Sequence, residues 1–211
     1  GFLAVGQYTS HMTGMVSSVA DHLVLGELTL ALAGAGAVLA FLLGAMTTAW
    51  LVNWGMRHQL RSAYGLPLIL EAAALLVFGL FGAAMGFMTP VFLPLTVVLL
   101  CFIMGLQNAV ITKISHATIR TTHITGLVTD LGIELGKLLY VNRQPGAEPV
   151  QADRGRLRVH GQLITCFFFG GLAGALGFKY LGFISTVPLA LMLLLLVMRP
   201  ALDDWQRLRA A

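Results

Sequence analysis

Five long apolar runs constrain this chain more than any other feature of its sequence. They are close to the length that a helix needs to cross the hydrocarbon core of a bilayer, and short polar stretches separate most of them. The runs are Leu28–Val52, Leu66–Phe87, Val91–Ala109, Leu163–Leu181 and Phe183–Met198. Only 10% of the residues are charged, whereas a soluble domain has about a quarter. The sequence therefore predicts an all-α protein in which residues 1–211 form a single integral membrane domain.

One nine-residue pattern occurs twice, and we take it as the mark of a duplicated architecture. It can be written T-[ST]-H-[MI]-T-G-[ML]-V-[ST], and it spans Thr9–Ser17 and Thr121–Thr129. Each difference between the two copies replaces one hydroxyl residue by another or one apolar residue by another. The sequence therefore predicts two structural repeats, residues 1–88 and 91–199, followed by a tail at residues 200–211.

The positions of the basic residues predict the orientation of the chain. Nine of the 13 lysines and arginines lie in the loop at residues 53–65, in the loop at residues 141–158 or in the tail from Arg199. An excess of basic residues marks cytoplasmic loops. We therefore expect a multi-pass protein of a bacterial inner membrane with a cytoplasmic C-terminus.

The segment Gly1–Val5 resembles the end of an apolar run, so we expect a first helix that is missing or truncated here. Restoring it gives about six transmembrane helices, three in each repeat. An odd number of spans forces the two copies into opposite orientations, which is the inverted-repeat plan of many secondary transporters.

The repeated pattern also supplies the candidate binding residues. Its hydroxyl side chains can cap a helix and its glycine permits close approach. A helix that begins there inside the membrane would aim free N–H groups at an anionic or polar ligand. The alternative is that each copy caps a helix at the membrane surface. Together with polar residues from run three and one downstream carboxylate, the predicted substrate-binding residues are Thr9, His11, Thr13, Gly14, Gln107, Asn108, Thr122, His123, Thr125, Gly126 and Asp130.

Metal, cofactor and enzyme chemistry find little support in the sequence. One histidine per repeat, His11 and His123, is too few for a protein-only tetrahedral site, and Cys101 and Cys166 lie in apolar runs as free thiols. No nucleophile elbow, phosphate-binding loop or zinc-protease helix occurs. Proton coupling through a histidine of the pattern or through Asp130 stays open. Extension of Glu71, near the start of run two, to the membrane surface is an explanation of this carboxylate that needs no function.

The predicted partners are membrane lipid and an unknown small solute or ion. The net charge of +4 does not indicate nucleic-acid binding, because the arginines lie in short loops and the tail. Small residues recur about every four positions in runs one and four, which predicts tight helix packing and a possible homo-oligomer. These residues are Gly36, Ala40, Gly44 and Thr48 in run one, and Gly170, Gly174 and Gly177 in run four.

Three segments together carry a family resemblance. With Met12-Thr13-Gly14, Met104–Ala109 and Thr121–Gly126 followed by Asp130, the chain resembles the YoaK-like family of bacterial inner-membrane proteins, whose domain has no assigned function. The resemblance implies about six spanning helices and a loosely described transporter without an established substrate. Met15 stands where such proteins usually carry Asn.

Two functions remain open on this evidence. The first is a small-solute or ion transporter whose polar site is formed by the two copies of the pattern. The alternative is a non-transporting structural or accessory membrane protein in which the copies serve helix packing or assembly.

Overall fold

The computed structural model describes residues 5–84, 89–115, 123–143 and 148–210, and nearly all of the secondary structure in these ranges is helical. The helices are α1 (Met12–Val24), α2 (Leu28–Arg57), α3 (Gly65–Ala84), α4 (Thr89–Ile114), α5 (Ile124–Leu139), α6 (Arg154–Leu181) and α7 (Thr186–Ala210), with a 3-10 turn at Gly182–Ser185. No strand occurs within the described ranges. The prediction of an all-α protein is confirmed.

Three stretches of the described chain are long and apolar enough to cross a membrane. They are Leu28–Arg57, Pro94–Ile114 and the continuous stretch Arg154–Asp204. Gly65–Leu80 is a shorter apolar helix. The long third stretch is divided where the sequence predicts a boundary, because Gly182 has a φ of +62° between α6 and α7, a conformation that favours glycine.

The chain forms two compact units. The first contains Gly1–Ile119 and Ala175–Ala211, and the second contains Arg120–Gly174. The first copy of the repeated pattern belongs to the first unit and the second copy to the second unit.

Within the first unit, α2 and α4 run in the same direction and approach each other closely. A Cβ on Gly44 of α2 would overlap the carbonyl oxygen of Phe102 on α4. Toward the C-terminal ends of the same two helices, Lys113 Nζ donates a hydrogen bond of 2.9 Å to Asn53 Oδ1. Thr48 Oγ1 donates to the carbonyl oxygen of Leu106 at 3.1 Å. The small residues of run one therefore pack against run three.

Helix α3 lies antiparallel to α7 in the same unit. A Cβ on Gly65 would overlap the side chain of Val197, and one on Gly79 would lie 2.6 Å from Thr186 Oγ1. The C-terminal part of α7 also contacts the turn that precedes α3, where Asp204 accepts backbone hydrogen bonds from Arg61 and Ser62. The turn after run one and the tail therefore lie at the same end of these helices.

The second unit is held by a network of carboxylates. Glu134 accepts hydrogen bonds of 2.7 Å from Lys137 Nζ and from the backbone N–H of Asp153. The hydrogen bond from Lys137 has the larger effect, and together the two bonds hold the pKa of the Glu134 carboxyl below its ordinary value. Asp153 in turn accepts the N–H groups of Gly155 and Arg156 at the start of α6, so the network caps that helix.

Candidate functional site

The two copies of the repeated pattern have the same local structure. His11 precedes α1 and His123 precedes α5 as N-cap residues, with φ and ψ of −91° and 70° in the first and −88° and 57° in the second. In each copy the imidazole lies against the glycine three residues later. A Cβ on Gly14 would be 2.6 Å from His11 Nε2, and one on Gly126 would be 2.8 Å from His123 Nε2. The shared sequence therefore encodes one local conformation, formed once in each unit.

The hydroxyl groups of the pattern do not cap the helices in the predicted way. The N-cap side chains are those of His11 and His123, and neither makes a capping hydrogen bond. The downstream hydroxyl of Thr129 instead donates to the carbonyl of Thr125. The expectation of a hydroxyl cap was wrong at the N-cap position, because a histidine occupies that position in both copies.

The first copy begins a helix partway along a candidate membrane span. Met12 and Met15 pack against the buried cluster of Ala37, Ala40 and Cys101. Ala40 lies 12 residues into α2, which corresponds to about 18 Å at 1.5 Å per residue. The first turn of α1 therefore packs beside the middle part of α2 and not beside one of its ends.

Six of the predicted site residues belong to the first unit. Thr9 is buried, whereas His11 and Thr13 are exposed, and Gly14 is half-buried. Gln107 and Asn108 lie six and seven residues beyond Cys101 on α4, about 10 Å from it along the helix. The first copy and the Gln107–Asn108 pair therefore occupy successive depths along the same helices.

The remaining predicted residues belong to the second unit. His123, Thr125 and Asp130 are exposed and Gly126 is half-buried, while Thr122 lies outside the described residues. The prediction that both copies line one cavity stays a prediction. No group of three or more potential metal-ligating side chains occurs among the described residues.

A buried carboxyl is the strongest feature that the sequence interpretation missed. Glu71 is 2% exposed, and its Oε2 atom has no hydrogen-bond partner among the described groups. The explanation that it extends to the membrane surface was wrong. It lies on the same face of α3 as the buried residues Pro67 and Phe78, which are four residues before it and seven after it. Those spacings place it in the packed face of the helix.

Glu71 shares its depth with the polar pair of α4. Helices α3 and α4 pack together and are separated by four residues, so they run antiparallel. Phe78 and Leu100 belong to one buried cluster. Glu71 lies seven residues before Phe78 on α3, and Gln107 lies seven residues after Leu100 on α4. Since the two helices are antiparallel, Glu71 and Gln107 lie at about the same level along them.

Thr48 of α2 lies at the same level, because its hydroxyl donates to the carbonyl of Leu106. We call the set of Thr48, Glu71, Gln107 and Asn108 the polar layer. Gln107 and Asn108 are half-buried, and Asn108 Nδ2 donates to the carbonyl of Met104 in its own helix at 2.7 Å. The layer lies about 10 Å from the Ile114 end of α4, by the rise of a helix.

These features define an all-helical chain with three candidate membrane spans, the architecture of a membrane protein. The model of a family described as "Protein of unknown function (DUF1275)" matches residues 1–199. The chain belongs to that family, and the YoaK-like resemblance agrees with this membership. No curated protein and no solved structure matches the chain.

Proposed function

We propose that this protein transports a small polar solute or ion across the membrane and that the polar layer is part of the path. The carboxyl of Glu71 carries the proposal, because it lies in an apolar helix pack with one oxygen unpartnered. Ionisable and polar groups at membrane depth are costly, and they mark solute and ion pathways. Gln107 and Asn108 add two amides at the same depth.

The repeated pattern supports a path that continues beyond the layer. A helix cannot leave its N–H groups unpaired in lipid, so a helix start at membrane depth requires protein or water beside it. The first copy provides such a start about 10 Å from the Gln107–Asn108 pair, judged from the position of Cys101 on α4 and the rise of a helix.

We include an inverted-repeat arrangement in the proposal. Each copy of the pattern is followed by a short helix, a long glycine-containing helix and another apolar helix, which are α1–α3 in the first half and α5–α7 in the second. In an inverted arrangement of about six spans, Thr13 and Thr125 would line one cavity. Transporters with inverted repeats place their substrate sites at the interface between the repeats.

Uptake into liposomes that contain the full chain tests the transport function, with a panel of ions and small metabolites. Asn108→Leu should lower uptake about tenfold or more, which corresponds to at least ~1.4 kcal/mol. The free energy of unfolding should fall by only ~1 kcal/mol or less, the scale of a side-chain hydrogen bond between membrane helices. A matched control is Thr47→Val, because Thr47 is partly exposed and its hydroxyl donates to the carbonyl of Leu43 in its own helix.

Lys179→Gln should also leave uptake unchanged. Lys179 lies near the C-terminal end of α6, far along this helix from its polar start. If wild-type liposomes take up every member of the panel no faster than empty ones, the transport proposal fails. The structural or accessory function then becomes the better explanation. Equal loss of uptake in Asn108→Leu and Thr47→Val would remove the polar layer from the path.

The proposal also places the protein in the inner membrane with the turn at residues 58–64 and the tail in the cytoplasm. Bonding of Asp204 to Arg61 and Ser62 puts this turn and the tail at one end, and the basic residues there favour the cytoplasmic side. Cysteines replacing the exposed residues His58 and Gln151, in a chain without Cys101 and Cys166, should react with an impermeant maleimide only after the membrane is opened. Reaction in intact cells would reverse the orientation.

A further inference from the structure

We propose that Glu71 is a proton-binding site that holds a proton in the conformation described here and exchanges it during transport. The assignment differs from the histidines and Asp130 considered from the sequence, because all three of those side chains are exposed. Glu71 is 2% exposed and belongs to the packed face of α3. The coupling part of this inference rests on the proposed transport function, whereas the proton site itself does not.

The charged and titratable groups of the surrounding helices lie at other depths. On α4 these are Cys101 and Lys113, each six residues from Gln107, which corresponds to about 9 Å along the helix. Lys113 is bonded to Asn53. On α2 the nearest charged residue to the layer is Arg57, nine residues beyond Thr48 and exposed. The 3-10 turn, Gly182–Ser185, contains no titratable residue.

The charged residues of α7 lie on the C-terminal side of Val197, the residue that contacts Gly65 of α3. Glu71 lies six residues from Gly65 in the direction away from those charged residues, which begin at Arg199 and include Asp203 and Asp204. The carboxylates of Asp203 and Asp204 contact Arg61 and Ser62. Glu71 is the only charged residue of α3, so no described cation lies beside it.

An unpaired carboxylate in such a place is far more costly than a neutral carboxyl. An isolated ionised group loses its hydration in an apolar medium without compensation, so the group takes up a proton instead. A metal cation would need several oxygen ligands, and no metal-binding cluster occurs among the described side chains. The proton is therefore the ion that fits a single carboxyl in this setting.

The polar layer provides a route by which the proton can leave. When water enters beside Gln107 and Asn108, the amides and water can solvate the carboxylate, and Glu71 gives its proton to that water. A later opening to the opposite side returns a proton from water there, so that one proton crosses for each cycle. Charge and atoms balance without any further reactant.

Labelling of the full chain with dicyclohexylcarbodiimide tests the proton site without any transport measurement. This apolar reagent adds the protonated carboxyl across its C=N bond, and the product remains attached as an acylurea. Mass spectrometry should find the adduct on Glu71 near neutral pH, with labelling that declines as the pH is raised and the carboxyl ionises. Asp130 and Glu134, which are exposed or ion-paired, are internal controls and should stay unlabelled near neutral pH.

Several outcomes would overturn the inference. Absence of the adduct on Glu71 at every pH of the series, or labelling that does not change with pH, would show that no exchangeable proton is held there. Protection by sodium ions at constant pH would assign the site to a metal cation instead. Glu71→Gln retains the size of the side chain, so it should lose the adduct while its melting temperature stays near that of the wild type.

The coupling is tested in liposomes with an imposed pH gradient and a solute from the panel that the wild type takes up. Glu71→Gln should lose uptake driven by the gradient, because an amide neither binds nor releases a proton in this pH range. Gradient-driven uptake that survives in this variant would refute coupling and leave transport intact. A labelled Glu71 in a protein that takes up nothing would refute transport and leave the proton site intact.

Discussion

Replacing Gly105 by alanine should lower the free energy of unfolding by about 1–3 kcal/mol, the usual cost of forcing extra atoms into a packed core. A Cβ at this position would overlap the carbonyl oxygen of Phe41, and it would lie 2.9 Å from the carbonyl carbon of Phe41 and 3.1 Å from the nitrogen of Ala45. These neighbours are backbone atoms of α2 and cannot rotate away. The two helices would have to separate.

Gly44→Ala should have an effect of similar size from the other side of the same contact. Its Cβ would overlap the carbonyl oxygen of Phe102 and lie 3.0 Å from the nitrogen of Leu106. Since either methyl group separates α2 from α4, the second substitution should cost little once the first is present. The double variant should therefore lose less stability than the sum of the two single variants, as expected for residues coupled through one helix contact.

Gly36→Ala is the matched control on α2, because a Cβ there meets no described atom within 4 Å. It should be neutral or stabilising by up to ~1 kcal/mol, since alanine is the better helix former. Unfolding in mixed detergent micelles, followed by far-UV circular dichroism, measures all four variants. If Gly36→Ala destabilises as much as Gly105→Ala, the loss reflects glycine flexibility rather than the helix contact.

The small residues of run one show how far a sequence pattern can specify packing. Their spacing places Ala40, Gly44 and Thr48 on one helix face, and all three are buried. The partner helix could not be predicted, because the spacing describes only one side of a contact. In the structure that partner is α4, through Gly105, a single glycine without any repeated spacing of its own. The corresponding pattern in run four has no such partner here, since a Cβ on Gly170 or Gly174 meets no described atom within 4 Å.

The approximate positions of the long helices and the equivalence of the two copies followed from local sequence, although α6 begins at Arg154, nine residues before run four. Apolar length indicated where the long helices lie, and three of these stretches are candidate membrane spans. The pattern around His11 and His123 predicted a shared conformation, because capping depends on residues a few positions apart. The role of each side chain was harder to predict. Histidine and threonine can both stand before a helix, and the identity of the N-cap residue depends on where the first hydrogen-bonded turn closes.

The burial of Glu71 was not predictable from its position in run two. A carboxylate one or two turns from a helix end can extend to water when its face is open, and the sequence does not show which face of α3 is covered. Only the packing of α3 against α4 and α7 closes that face. The alignment of Glu71 with Gln107 likewise requires the antiparallel register, which sequence spacing does not supply.

Asp204→Ala should be the second strongly destabilising substitution, with a loss of about 2–4 kcal/mol expected from the scale of hydrogen bonds to charged groups and of buried unpaired donors. Asp204 is 5% exposed. Its Oδ1 accepts the N–H of Arg61 at 3.0 Å, and its Oδ2 accepts both the N–H and the hydroxyl of Ser62 at 2.7 Å. Removing the carboxylate leaves three donors without this acceptor, just before α3 begins.

The adjacent residue Asp203 provides the control for this prediction. Its side chain is 56% exposed and lies 3.7 Å from Arg61, and an exposed ion pair of this kind contributes at most about 1 kcal/mol. Asp203→Ala should therefore change the melting temperature little, whereas Asp204→Ala should lower it and expose the end of α7 to proteases. Asp204→Asn should lie between them, because an amide keeps one acceptor oxygen in place of two. Equal effects of Asp203→Ala and Asp204→Ala would mean that charge in the tail stabilises this end of the protein and that the three hydrogen bonds do not.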